Sequence, residues 1–265
     1  MSALQTTGIL GTGVRAGLAL LAGVALLTST AVVNAAGGGA ALESPQIDAG
    51  SKKSLQRGAK LFVNYCMACH SANYQRYGRL ARDIGLSEED VASQLIFTTD
   101  SAGEPTKIGS LMENNMSAEY GRVAFGVIPP NLALTARSRG VDWIYTYLKS
   151  FYLDPGRTSI GVNNTVYPGA AMPHVLWELQ GWQEKVVEDD GHGGEKITLK
   201  LASPGSQSVA EYDQTITDIT NFLAYMADPI KQTRHKIGVF VLLFLFALLA
   251  IAYFLKKEYW RDVVH

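Results

Sequence analysis

Apolar residues fall into two kinds of pattern along this chain. Near its ends lie two continuous runs, residues 16–33 and 237–255. Between them, apolar positions recur at helical spacing. Leu55, Ala59, Phe62, Val63 and Cys66 follow one another by three or four, which predicts an amphipathic helix with Ser51 or Ser54 as its cap. Trp143, Ile144, Tyr147, Leu148 and Phe151 form a second stripe, predicting a helix over 141–151 that Asp154-Pro155-Gly156 stops. Val209, Tyr212, Ile216, Ile219, Leu223 and Met226 form a third. There Ser208 and Glu211 make a capping box, and Asp228-Pro229 ends the helix. Met112 and Met116 read as part of a further helical stretch. Residues 126–139 read as an extended loop stiffened by Pro129 and Pro130.

The two runs set the topology. The run at 237–255 has nineteen residues without a charge. At about 1.5 Å per residue it spans roughly 28 Å, close to the hydrocarbon thickness of a bilayer. The run at 16–33 follows a segment whose only charge is Arg15 and ends in Val33-Asn34-Ala35, small residues suited to signal peptidase. Residues 1–35 are therefore expected to be a cleaved secretory leader, with an uncleaved N-terminal anchor as the alternative. Either way the body is exported. The expected map is a periplasmic domain over 36–233, an anchor helix over 234–256 and a cytoplasmic tail over 257–265, in a bacterial inner membrane.

Composition narrows the chemistry. The 265 residues carry a net charge of -1, which does not mark a nucleic-acid binder. Loss of the leader with Arg15 leaves 22 basic against 24 acidic residues, a net charge of -2. Two windows are acidic: 83–104 has six Asp/Glu and no Lys, Arg or His, and 184–195 has five Asp/Glu and one Lys. Each is either a steering patch for a basic partner or a solvated loop.

The only cysteines are Cys66 and Cys69, and His70 follows. C-x-x-C-H is the attachment motif of c-type haem: two thioethers hold the porphyrin, and the adjacent histidine lies under the iron. A thioredoxin-like pair needs a βαβ context, which the pattern lacks. A zinc site needs further ligands at suitable spacing, and the remaining histidines are scattered. The second axial ligand comes from farther along the chain. Met67 lies inside the attachment loop, Met226 lies on a packing stripe, and Met112 and Met116 are explained by core or surface roles. Met172 differs, because Tyr167-Pro168-Gly169-Ala170-Ala171-Met172-Pro173-His174 is a proline-bracketed loop with no packing period. Met172 is the favoured ligand and His174 its rival. Arg137 and Arg139 are candidates to pair with haem propionates, and Pro130 to wall the pocket.

Taken together, these stretches resemble the cytochrome c1 family. The resemblance is carried by 61–76, by Ile128-Pro129-Pro130-Asn131-Leu132 with Arg137-Ser138-Arg139, by 167–172, and by the helix and anchor from Ile216 onward. It implies a mainly α, class I-like cytochrome c domain with long loops and one C-terminal transmembrane helix. It implies one haem c on Cys66 and Cys69, iron ligated by His70 and Met172, and Arg139 near a propionate. It also implies a place in the quinol–cytochrome c oxidoreductase (cytochrome bc1) complex. There the chain would be an electron carrier without substrate chemistry of its own. Cytochrome b and the Rieske iron–sulfur protein would be its partners, a soluble or anchored cytochrome c its acceptor, and the complex dimeric. Departures from the family pattern are Trp143 where an aromatic hydroxyl is frequent, and Met-Pro-His where Met-Ala-Pro-Pro is common. Alternatives are an anchored mono-haem cytochrome of another redox complex, or a haem-based gas sensor, which needs an open sixth position.

Overall fold

The structure, a computed structural model, describes residues 41–189 and 195–263. The expected leader, 1–35, lies outside the described residues, as does the crest of the second acidic window.

Helix α1 (Lys52–Leu61) starts at Ser51, whose side chain accepts the Ser54 N–H. Ser54, the other capping candidate, is instead buried and gives its hydroxyl to Asp218 Oδ1 at 2.6 Å. A π-helical turn, Phe62–Cys66, prolongs α1. The expected stripe Leu55, Ala59, Phe62, Val63 and Cys66 is buried along its whole length. The chain then turns: the Cys69 and His70 N–H groups both donate to the Cys66 carbonyl, at 3.1 and 2.9 Å.

Next come β1 (Ala72–Arg76), α2 (Tyr77–Ile84), α3 (Glu88–Gln94) and β2 (Leu111–Met112). Strands β1 and β2 pair antiparallel, with Ala72 opposite Met112. Met112 is thus a buried strand residue rather than a helical one, because pairing with β1 carries it into the core. Much of the first acidic window has a local role. Ser87 caps α3, and Glu88, Glu89 and Asp90 fill its first turn, where the helix dipole favours negative charge.

Helix α4 (Ala118–Phe125) leads through the proline loop to α5 (Thr135–Ser138) and α6 (Val141–Lys149). Helix α6 stops short of the sequence expectation. The Ser150 hydroxyl turns back to the Thr146 carbonyl at 2.5 Å, and Phe151 peels away into β3 (Phe151–Leu153), paired with β4 (Val162–Asn164). Asp154-Pro155-Gly156 therefore turns the chain between two strands instead of ending a helix. After α7 (Trp177–Gln180), β5 (Gly181–Asp189) and β6 (Glu195–Pro204) form an antiparallel hairpin in which Val187 faces Ile197 and Lys185 faces Leu199. Residues 184–189 and Glu195 of the second acidic window thus lie on strands.

Helix α8 (Val209–Ala227) has the expected capping box between Ser208 and Glu211 and ends at Asp228. Helix α9 (Lys231–Tyr259) is, among the described residues, the one helix long and apolar enough to cross a membrane. The core forms where α1 meets α8. Their backbones approach so closely at Gly58 that a Cβ there would lie 2.2 Å from the Asp218 carbonyl oxygen. Phe62 and Phe222 pack beside that contact, with ring centroids 5.5 Å apart. Each large side chain buried in this way contributes roughly 1.5–3 kcal/mol. The Asp218 carboxylate is buried in the same seam and accepts from Arg57 Nε at 2.5 Å and Nη2 at 2.8 Å. The end of α1 is therefore fixed against α8, and with it the Cys-x-x-Cys-His turn.

Candidate cofactor site

A cavity of about 660 Å³ opens beside that turn. Cys66, Cys69 and His70 supply part of its wall, and Tyr147 and Met172 supply another part. Most of the remaining lining is apolar, supplied by the 127–132 loop, by α6, and by Ile219 and Leu223 of α8.

The histidine is held by a single bond. Its Nδ1 lies 2.7 Å from the Pro130 carbonyl oxygen. A carbonyl only accepts, so Nδ1 carries the proton and Nε2 is left with its lone pair. Burial lowers the His70 pKa, and the Pro130 bond opposes that only in part, so the ring is neutral near pH 7. Sequence reasoning placed Pro130 in the pocket wall. Its carbonyl has the further task of setting the histidine tautomer, and a backbone group leaves no mark in the residue pattern.

Both thiols are free. Burial pushes the Cys66 thiol up to about 12, with the charge of Cys69 adding to the effect. Burial also raises Cys69. Both shifts run opposite to the depressed values of reactive thiolates. Among the described residues no cluster of three His, Cys, Asp or Glu side chains is placed to hold a metal ion. Two thiols beside an imidazole with a bare nitrogen, facing an apolar cavity, suit covalent attachment of a flat macrocycle.

The Met172 wall is assembled from more distant pieces. Gly169 has φ +82°, a conformation suited to glycine, and its N–H donates to Asn163 Oδ1 at 2.8 Å. Arg157 Nη2 donates to the carbonyls of Gly169 and Ala170 at 3.3 and 2.6 Å. Asn164, fully buried, accepts the N–H groups of Val166 and Tyr167 at 2.9 and 3.1 Å. Met172 itself is half-buried, and the Tyr147 hydroxyl donates to its Sδ at 3.5 Å.

Of the residues singled out from sequence, the cavity brings together Cys66, Cys69, His70, Pro130, Arg139 and Met172. Arg139 stands at its edge, its guanidinium 5.1 Å from the Trp143 ring centre and 5.9 Å from that of Tyr167. Arg137 is exposed and does not line the cavity. His174 does not line it either. It is buried against Phe151, ring centres 5.2 Å apart and nearly parallel, and meets Trp182 edge-on. Arg157, Asn163 and Asn164 were not anticipated. The signal available was the pair of asparagines just ahead of the Pro-Gly turn, since Asn side chains commonly bond nearby backbone.

The cytochrome C1 family model matches residues 46–197 and 203–263. A cytochrome c1 of Allochromatium vinosum is 49% identical over 232 residues, covering 86% of this chain and 92% of that protein. A protein of Nitrosomonas europaea named ammonia monooxygenase gamma subunit is 44% identical over 232 residues, covering 88% of this chain and 93% of its own length. The mitochondrial cytochrome c1 heme protein of Saccharomyces cerevisiae is 25% identical over 231 residues, covering 79% and 67%.

Proposed function

This chain belongs to the cytochrome c1 family, and on that premise we propose that it carries one covalent haem c and relays electrons from a Rieske iron–sulfur protein to a cytochrome c. The observation that carries the reading is the cavity, which both thiols, His70 and Met172 all line. Haem c supplies a one-electron iron couple when bound. The chain's own residues do the rest. Cys66 and Cys69 would hold the macrocycle through thioethers, and His70 would present Nε2 because the Pro130 carbonyl occupies Nδ1. Met172 presents a thioether, which favours the reduced state and a high potential. The apolar lining excludes water, and Arg139 is placed to meet a propionate.

The expected leader together with the anchor supports the topology, and family membership supports the partners. Residues 36–233 form the periplasmic domain, 234–256 the membrane span and 257–265 the cytoplasmic tail. Cytochrome b and the Rieske protein are the partners within a dimeric complex. A second reading rests on the Nitrosomonas relative, whose name attaches it to an ammonia monooxygenase. Purification of the tagged chain in mild detergent separates the two. Expected are haem stain on the denatured chain, b-type haem spectra and a Rieske paramagnetic signal in the same fraction. Haem stain together with ammonia monooxygenase subunits, and no b-type haem, would move the chain to the second reading.

A further inference from the structure

Helix α6 and the Met172 loop are joined twice at one residue. The Tyr147 carbonyl accepts from Asn164 Nδ2 at 2.8 Å, and the other end of that amide accepts two N–H groups of the loop. The Tyr147 hydroxyl crosses to Met172 Sδ at 3.5 Å. The ring has little freedom to leave. It stacks on Trp143 at 4.8 Å and 8°, and meets Phe151 edge-on at 5.1 Å. Along the sequence Tyr147 reads only as part of an apolar stripe, yet its oxygen points at a sulfur inside the cavity.

We propose that Tyr147 is a positioning residue that orients the Met172 thioether and tunes the iron potential through its hydroxyl. This rests on the reading of Met172 as the axial ligand. A thioether sulfur has two lone pairs. With one occupied by the phenol O–H, the other is directed toward the metal and is a weaker donor. A weaker donor stabilises Fe(III) less, so the O–H holds the potential up.

The test is made on detergent-solubilised holoprotein by redox titration and by the sulfur-to-iron(III) charge-transfer band. Tyr147→Phe deletes one oxygen and keeps the ring in its stack. It should retain the band, shifted in energy, and favour Fe(III) by roughly three- to tenfold, the size of one neutral hydrogen bond. That is a fall of about 30 to 60 mV for one electron. Replacing Tyr147 by 3,5-difluorotyrosine, a stronger donor of the same shape, should move the potential the other way. Tyr145→Phe is the control, because the Tyr145 hydroxyl serves Asp213 rather than the cavity, and it should change neither readout. If both Tyr147 replacements leave band and potential at wild-type values, or shift them in the same direction, the proposal is overturned. If the wild-type protein itself lacks the band, the ligand assignment fails instead.

Discussion

The two walls of the cavity are built by different means. On the His70 wall, five consecutive residues carry both thiols and the imidazole, and one carbonyl, that of Pro130, sets the ring. On the Met172 wall a single side chain depends on Arg157, Asn163, Asn164 and Tyr147, which lie on three separate segments. A ligand placed by its own covalent neighbours tolerates change elsewhere. A ligand placed by tertiary contacts can be loosened without being touched. Attachment should therefore fail in an all-or-none manner, whereas sulfur ligation should be adjustable in steps.

The largest expected effect is on the attachment wall. Cys69→Ala leaves at most one thioether and should yield little mature holoprotein; haem staining after acid–acetone extraction reads this directly. Full retention of haem would show that the two walls do not differ as described. Next in size is Met172→Leu. The swap keeps volume and should cost less than about 1.5 kcal/mol of stability. Haem should stay attached while carbon monoxide binds and the midpoint potential falls far. Met226→Leu, in the buried core on α8, is the control and should leave the spectrum unchanged. A native potential in Met172→Leu would mean that the second wall supplies no ligand.

A sharper probe leaves the sulfur in place. Arg157→Ala removes the bonds to Gly169 and Ala170 and should speed displacement of the sulfur by added imidazole about fivefold, the value of about 1 kcal/mol. Haem attachment should not change. An unaltered displacement rate would show that the loop holds its shape without Arg157.

What could be read from the chain divides along the same line. The pentapeptide, the buried stripes of α1 and α8 and the capping box at Ser208 are local patterns, and each has its expected place. The place of Met172 in the cavity lining was legible because two prolines bracket a loop with no packing period. The clasp around it was not, since no spacing rule links Arg157 to the carbonyl of Ala170. Phe151 shares the helical spacing of Trp143 and Tyr147, but a backbone turn at Ser150 gives it to a strand. The hairpin over β5 and β6 was hidden by its charges, although Ile197, Leu199 and Leu201 alternate with the period of two that a strand requires.

The smallest expected effect lies where α6 meets α8, at Lys149 and Asp213. Lys149 Nζ lies 2.6 Å from Glu43 and 3.0 Å from Asp213, which also accepts from Tyr145. Burial alone would raise the Asp213 pKa, but the bonds from Tyr145 and Lys149 outweigh it and lower it. A depressed folded-state value means that the unfolded chain binds its proton first as pH falls. The contribution is thus complete above the ordinary carboxylate pKa of about 3.9 and is lost below it. Asp213→Asn should flatten this acid limb by less than about 1 kcal/mol, since the carboxylate is half exposed and screened. Melting temperatures between about pH 6 and pH 3 would show it, and parallel curves for both proteins would exclude a role for the cluster in seating α6.

Only Asp228, Pro229 and Ile230 separate the last turn of α8 from the first residue of α9, and Arg234 reaches back to Asp228 Oδ2 at 2.5 Å. Three residues of chain extend at most about 10 Å. A proline among them and an ion pair across them shorten the leash further. A body on so short a link would act as a post rather than a swinging arm, kept close to the lipid surface that α9 enters. Any travel between electron donor and acceptor would then fall to the proposed partners, and lengthening this junction by a flexible insert would alter the distance that they must bridge.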